Sequence, residues 1–219
     1  MKKILKEERG NTMLLTLGMV FVMALMLVVI LNFANVFVVK EVASSNAEQA
    51  SLVGASLVVE KLKEEIENYE DSLLGLIEEV VDETITEKIE NRKNEIKYET
   101  NWLAHELELK AMNDVLEKEL RDGNIVLRGY IITALNRATN EIPHLVQSNI
   151  VANKGEVGGT RIRFNSDYRL EVETYVEFSM IKMENFVSDD KQKVKQSGES
   201  PSFSFLKELP FYSWSYTFP

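Results

Sequence analysis

Hydrophobic positions change their spacing along the chain, and each change predicts a different element. From Met13 to Leu31 they are almost continuous, broken only by Thr16 and Gly18, and weaker hydrophobicity continues to Val39. A charge-free run of this length predicts a membrane-spanning helix. As helix, Met13 to Val39 would extend about 40 Å against a hydrocarbon core of about 30 Å. Its outer end therefore reaches the headgroups, where Phe33 and Phe37 suit the interface, or the helix tilts. Asn32 and Asn35 are three apart and share one helix face. There they can hydrogen-bond a neighbouring helix or mark the water boundary.

Beyond Lys40 the spacing becomes three and four. Leu52, Ala55, Val59, Leu62, Ile66, Tyr69, Leu73, Leu76 and Val80 form a heptad seam, which predicts either a coiled coil pairing copies or partners, or an amphipathic helix packing on its own chain. Ala55, Tyr69 and the nearby Gly75 fit a strict dimer seam poorly, which favours internal packing. The register then drifts through Val81, Ile85, Ile89 and Ile96 into a second apolar set, Trp102, Leu103, Leu107, Leu109, Met112, Leu116 and Leu120. Asp122-Gly123-Asn124 predicts a turn. Ile131, Leu135, Ala138 and Ile142 mark one stripe of a further helix, which Pro143 is expected to end or redirect.

A switch to period two follows the Gly155–Gly159 cluster. Thr160 to Phe164, the turn-like Asn165-Ser166-Asp167 and the segment from Tyr168 predict a β-hairpin. In its second strand Leu170, Val172, Thr174, Val176, Phe178 and Met180 alternate with mostly polar neighbours, placing one face on a core. Ser188 to Ser200 is polar and lysine-rich and predicts a mobile loop. Tyr212, Trp214, Tyr216 and Phe218 then alternate, as on one side of a last strand that closes a small sheet or offers an aromatic edge to a protein partner. The expected fold is α+β: a cytoplasmic tail (1–12), one transmembrane helix (13–39) continuing into a long extracytoplasmic helix, a bundle-like helical middle (40–154) and a small antiparallel β region (155–219).

Charge sets the direction of insertion. Lys2, Lys3, Lys6 and Arg9 outweigh Glu7 and Glu8 before the span, so the N-terminus is expected to stay cytoplasmic. The whole chain carries −10, and removing the +2 of the tail before the span leaves −12 C-terminal to it, which discourages the outer region from lying on an anionic surface. With 25 Lys and Arg against 35 Asp and Glu, the chain lacks the basic excess of a phosphate-backbone binder. The absence of cysteine removes disulfides, thiolate metal sites and thiol nucleophiles.

His105-Glu106 begins like a zinc-protease helix, but Leu109 stands where the second histidine belongs, and His144 has no histidine at ligand spacing. Glu64, Glu65 and Glu67, and Glu78, Glu79, Asp82 and Glu83, lie among lysines without a calcium-loop glycine and read as solvated faces. The Gly155–Gly159 cluster matches neither a phosphate loop nor a dinucleotide fingerprint. Ser148 and Ser166 have no nucleophile-elbow context. No catalytic residue, cofactor, metal or small-molecule substrate is expected.

The start of the chain admits two processing routes. Its apolar run far exceeds the hydrophobic core of a secretory signal, and no small-x-small site follows closely, so signal cleavage is not expected. Lys6-Glu7-Glu8-Arg9-Gly10 resembles a type IV prepilin leader, but the fifth position after Gly10 is Leu15 rather than glutamate. That departure favours a retained anchor.

Glu8-Arg9-Gly10-Asn11 before the span, Asn32 to Lys40 at its outer end, and Ser45-Asn46-Ala47-Glu48-Gln49-Ala50 beyond it together resemble the N-terminal module of TadE/TadG-like proteins of the tight-adherence (Flp) pilus. The arrangement is also similar to minor type IV pilins of the PilX type. The first resemblance implies a non-enzymatic, membrane-anchored component of a bacterial pilus or surface-appendage assembly system. Its partners would be other pilus or secretion-machine subunits, or further copies of itself. The small residues from Ala43 to Ser56 would allow close helix approach, and the seam beyond them would lock onto a similar helix. The expected assembly residues are Gly10, Asn32, Asn35, Leu52, Ala55, Val59, Leu62, Ile66 and Tyr69, with Tyr212, Trp214, Tyr216 and Phe218 as a possible partner edge. From the residues alone, a membrane-anchored extracytoplasmic binding or sensor protein is the alternative.

Overall fold

The apolar run and the first part of the heptad seam lie on one unbroken helix, α1 (Ile4–Glu70). The computed structural model describes residues 4–72, 83–98, 104–178, 192–210 and 212–219. The seam positions Leu73, Leu76 and Val80, the acidic cluster from Glu78 to Asp82, and Trp102, Leu103 and Met180 lie outside the described residues. The chain divides into two compact units, Met1–Val42 with Val176–Val194, and Ala43–Tyr175 with Lys195–Pro219.

In the second unit the end of α1 is followed by α2 (Ile85–Ile96), α3 (Ala104–Arg121) and α4 (Ile125–Ala152). Each boundary has a local cause. Thr84 caps α2 through a capping box, its hydroxyl accepting from the Glu87 amide at 3.1 Å while its own amide donates to the Glu87 carboxylate at 3.1 Å. Glu70 accepts from both the amide and the hydroxyl of Thr86, tying the end of α1 to the start of α2. At the end of α3, Gly123 takes φ +92°, and the Asn124 and Gly123 amides return to the Glu119 and Leu120 carbonyls as a Schellman closure. Asn124 then caps α4 by accepting from the Leu127 amide at 3.0 Å.

Pro143 does not end α4, one of the two outcomes the sequence suggested; the helix runs through it to Ala152. Ile142, Val146 and Ile150 flank the proline on one stripe and are fully buried. Burying three large apolar side chains contributes about 1.5–3 kcal/mol each, which offsets the roughly 3 kcal/mol cost of an interior proline.

The sheet has the order β3-β2-β1-β4, formed by β1 (Glu156–Phe164), β2 (Arg169–Phe178), β3 (Gln192–Ser202) and β4 (Ser215–Thr217). The predicted hairpin is present, with β1 and β2 antiparallel in the register Ile162↔Val172 and Phe164↔Leu170. Leu170, Val172 and Thr174 are fully buried, as their alternation predicts. The register slips between Glu156 and Arg161, and there the hydroxyls of Thr160 and Thr174 both donate to the Glu156 carbonyl at 3.1 Å.

The segment expected to be a mobile loop is instead largely β3. Its lysines are what made it look solvated, and in the sheet Lys195 reaches Glu173 of β2 at 2.8 Å. Charged side chains on an outer strand also guard its open edge. A 3₁₀ turn (Ser204–Glu208) then carries the chain back to α3, where Asn113 donates to the Ser202 carbonyl at 2.8 Å. Phe203 and Phe205 beside it are fully buried in the same core as Leu62, Met112, Leu116, Leu135, Ile162 and Val172. Helices and sheet in this unit thus share one hydrophobic core.

The small residues of α1 belong to that packing. Ala43, Asn46, Ala47, Ala50, Ser51, Gly54 and Ala55 are all buried. A Cβ at Gly54 would lie 2.5 Å from Leu170 of β2, and one at Gly198 of β3 would collide with the backbone of Ala47 and Glu48. The expectation that this stripe admits a partner helix is therefore corrected: it admits the chain's own sheet. The reason is contact distance, because a strand backbone can lie against a helix backbone only where neither carries a bulky side chain.

Candidate assembly surface

The apolar half of α1 contains an 18-residue window of mean hydropathy 3.0, long and apolar enough to cross a membrane. Met13, Leu17, Met23, Phe33 and Phe37 are between 63% and 77% exposed. So large an apolar surface on one helix is stable in lipid or against other apolar helices, and costly in water. Asn32 and Asn35 are half-buried on one face near the end of this run. Gly10 lies within the helical backbone that leads into it.

The seam residues are distributed unevenly. Ala55, Leu62, Ile66 and Tyr69 are buried inside their own unit, Val59 is half-buried against the same core, and Leu52 is 42% exposed. Tyr69 packs edge-on to Tyr130 of α4 at 5.6 Å between ring centroids, and its hydroxyl accepts from the Asn124 side chain at 3.0 Å. Of the described seam residues, all but Leu52 thus pack on one core, to which α3, α4 and the sheet also contribute.

Charges border the packed seam. Lys61 contacts Glu64 at 3.2 Å and Glu141 at 3.8 Å, and Arg137 of α4 reaches both Glu64 and Glu65. The hydrogen bond from Lys61 holds the Glu64 carboxyl below its ordinary range, opposed by desolvation and aided by Arg137. The same bond raises the Lys61 ammonium above its ordinary value. Sequence reasoning placed Glu64 and Glu65 on a solvated face and missed Arg137, which is more than seventy residues away and outside any helical spacing rule.

At the C-terminal end β4 is short, and of the four aromatics Tyr216 alone lies within it. Tyr212 and Trp214 precede β4 and pack on Phe164 at 6.1 and 6.3 Å. Phe218 is 7% exposed and lies edge-on to Tyr216 at 4.9 Å. Burial pushes the Tyr212 phenol above its ordinary value. Of the four, Tyr216 is the most open, at 38% exposure on the outermost strand.

Among the described residues no group of three or more His, Cys, Asp or Glu is placed to hold a metal ion. A depression of about 850 Å³ between α2 and α3 is lined mainly by paired charges such as Arg92 with Asp114 and Lys88 with Glu119.

These features describe a chain with one N-terminal helix fit to span a membrane and an α+β unit built around the continuation of that helix. Residues 10–57 match a family described as putative Flp pilus-assembly TadE/G-like. From Gly10 to Leu57 the chain therefore carries a TadE/G-like module, and this stretch holds both the exposed apolar run and the small-residue stripe. No curated protein and no solved structure matches the chain.

Proposed function

We propose that the protein is a non-enzymatic, membrane-anchored component of a bacterial pilus or surface-appendage assembly system, with its N-terminus cytoplasmic and its helices and sheet outside. The observation that carries this reading is the coincidence of the TadE/G-like match, residues 10–57, with a lipid-compatible helix. The basic residues before the span support the orientation. The assembly residues in this reading are, in the first unit, the exposed apolar run with the Asn32 and Asn35 face and, in the second unit, Leu52 and Val59. Tyr216 is a second point of contact with a partner. Ala55, Leu62, Ile66 and Tyr69 serve Leu52 and Val59 from beneath by holding α1 on its own core.

Two measurements test it. In native cells, N-terminal sequencing of the extracted protein, with protease added outside intact cells, is expected to find an uncleaved leader and digestion of the region beyond Lys40. A start at Asn11 would assign a processed pilin-like subunit instead, and full protection of the outer region would overturn the orientation. In the same cells, deletion of the gene is expected to abolish surface filaments, with restoration by the full chain. Filaments that persist at wild-type number would remove the pilus reading.

A further inference from the structure

The outward face of α4 differs from the other helical surfaces of its unit. Ile125, Gly129, Ile132, Asn136, Asn140 and Gln147 are all exposed along it, and the strip they mark carries no Asp, Glu, Lys or Arg. The three charged residues of α4 lie off this strip: Arg128, at its border, turns back to donate to the Leu120 carbonyl at 3.2 Å, and Arg137 and Glu141 turn toward α1 and pair with Glu64, Glu65 and Lys61. By contrast, α1 exposes Glu60, Lys63 and Glu67, α2 exposes Glu87, Glu90 and Glu95, and α3 exposes Lys110 and Lys118. In a chain that is 27% charged, a face running the length of a 28-residue helix without one formal charge calls for a physical reason.

We infer that this face of α4 packs against the same face of a second copy of this chain. The charge balance selects that occupant. Each copy carries a net charge of −10, so two copies approaching through most surfaces set carboxylates against carboxylates. Along α4 they meet without that penalty. The chemistry of the strip is also self-complementary: an amide side chain carries both donor and acceptor, so Asn136 or Asn140 can pair with its own counterpart across a two-fold axis, which neither a lysine nor a glutamate can do. Gly129 has open space where a Cβ would stand, which lets a second helix come close, and Ile125 and Ile132, 79% and 37% exposed, supply apolar area beside it.

The size of the face sets the strength of the contact. A helix of this length is about 42 Å long, and a strip about 10 Å wide buries roughly 400 Å² per copy, half of the roughly 800 Å² per partner of a standard interface. Such a contact is weak between free molecules and becomes populated when both copies are held in one membrane, where tethering raises their effective concentration. The inference is independent of the pilus reading.

Cysteine crosslinking tests it, because the chain has no cysteine of its own. Full-length Ile132→Cys and Asn136→Cys, in membranes of the expressing cell, are treated with a short bis-maleimide alongside Asn94→Cys on α2 and Lys118→Cys on α3. The α4 variants are expected to give a species of twice 25.1 kDa, at a yield about fivefold above the other two. Adding Asn136→Glu to Asn140→Cys is expected to cut the Asn140→Cys yield by about tenfold through like-charge repulsion. Equal yields at all four positions, an adduct of any other mass, or a yield indifferent to Asn136→Glu would each overturn the second-copy contact. Filament formation that persists when the crosslink fails, or the reverse, separates this inference from the proposed function.

Discussion

Single atoms decide how closely α1 and the sheet approach. Gly198 has no side chain because the Ala47 carbonyl and the Glu48 amide occupy the place a Cβ would take. Both obstacles are backbone, so no rotamer change relieves them. Gly198→Ala is therefore expected to destabilise the outer unit by about 3 kcal/mol, at the upper end of overpacking costs. Urea denaturation of the full chain in detergent checks this, and a midpoint indistinguishable from wild type would show that β3 can slide away from α1. Nothing around Gly198 in the sequence announces this role, since a glycine among lysines and serines reads as loop. The contact joins positions about 150 residues apart, and local pattern carries no information across that distance.

Among the elements, α1 and α4 show how packing assigns meaning to a period. A heptad spacing states that one face of α1 is apolar, and that much is readable from Leu52 to Tyr69. Whether a partner or the chain itself covers the face depends on which other apolar stripes are available, and here α4 and β2 supply them. Leu62→Glu is accordingly expected to cost about 3–5 kcal/mol, since it buries an unpaired carboxylate where a fully buried leucine stood. Leu52→Glu, at a 42% exposed position on the same helix, is expected to change stability by less than about 0.5 kcal/mol. Limited proteolysis of both variants distinguishes the cases: rapid digestion of Leu62→Glu alone is expected, and a folded Leu62→Glu protein would place the seam outside the core. Similarly, α4 continues through Pro143 because Ile142, Val146 and Ile150 bury on one stripe, a tertiary gain that a proline rule cannot weigh.

For the whole molecule, charge governs the response to acid. The folded Glu64 carboxyl titrates below its ordinary range because Lys61 donates to it. Its contribution is therefore complete above the ordinary carboxylate pKa of about 4.3 and is lost as the pH falls through the lower folded value. Lys61 has the opposite sign: its pKa is raised, so its contribution is present below its ordinary value and is lost only at strongly alkaline pH. Stability is expected to fall from about pH 5 downward, modestly because Glu64 is partly exposed. Glu64→Gln is expected to flatten that slope in urea midpoints measured between pH 7 and pH 3, and parallel slopes for variant and wild type would remove Glu64 as the titrating group. What the amino-acid order determined by itself is what depends on neighbours in the chain: the length of the apolar run, the heptad and alternating periods, the turn at Gly123 with its cap at Asn124, and the resemblance confined to the first quarter. The tertiary structure alone decided that the small residues of α1 receive β3, that the lysine-rich segment is a strand paired through Glu173, and that most of the seam is core. Those outcomes depend on which surfaces meet, and excluded volume and charge pairing between distant residues have no trace in local spacing.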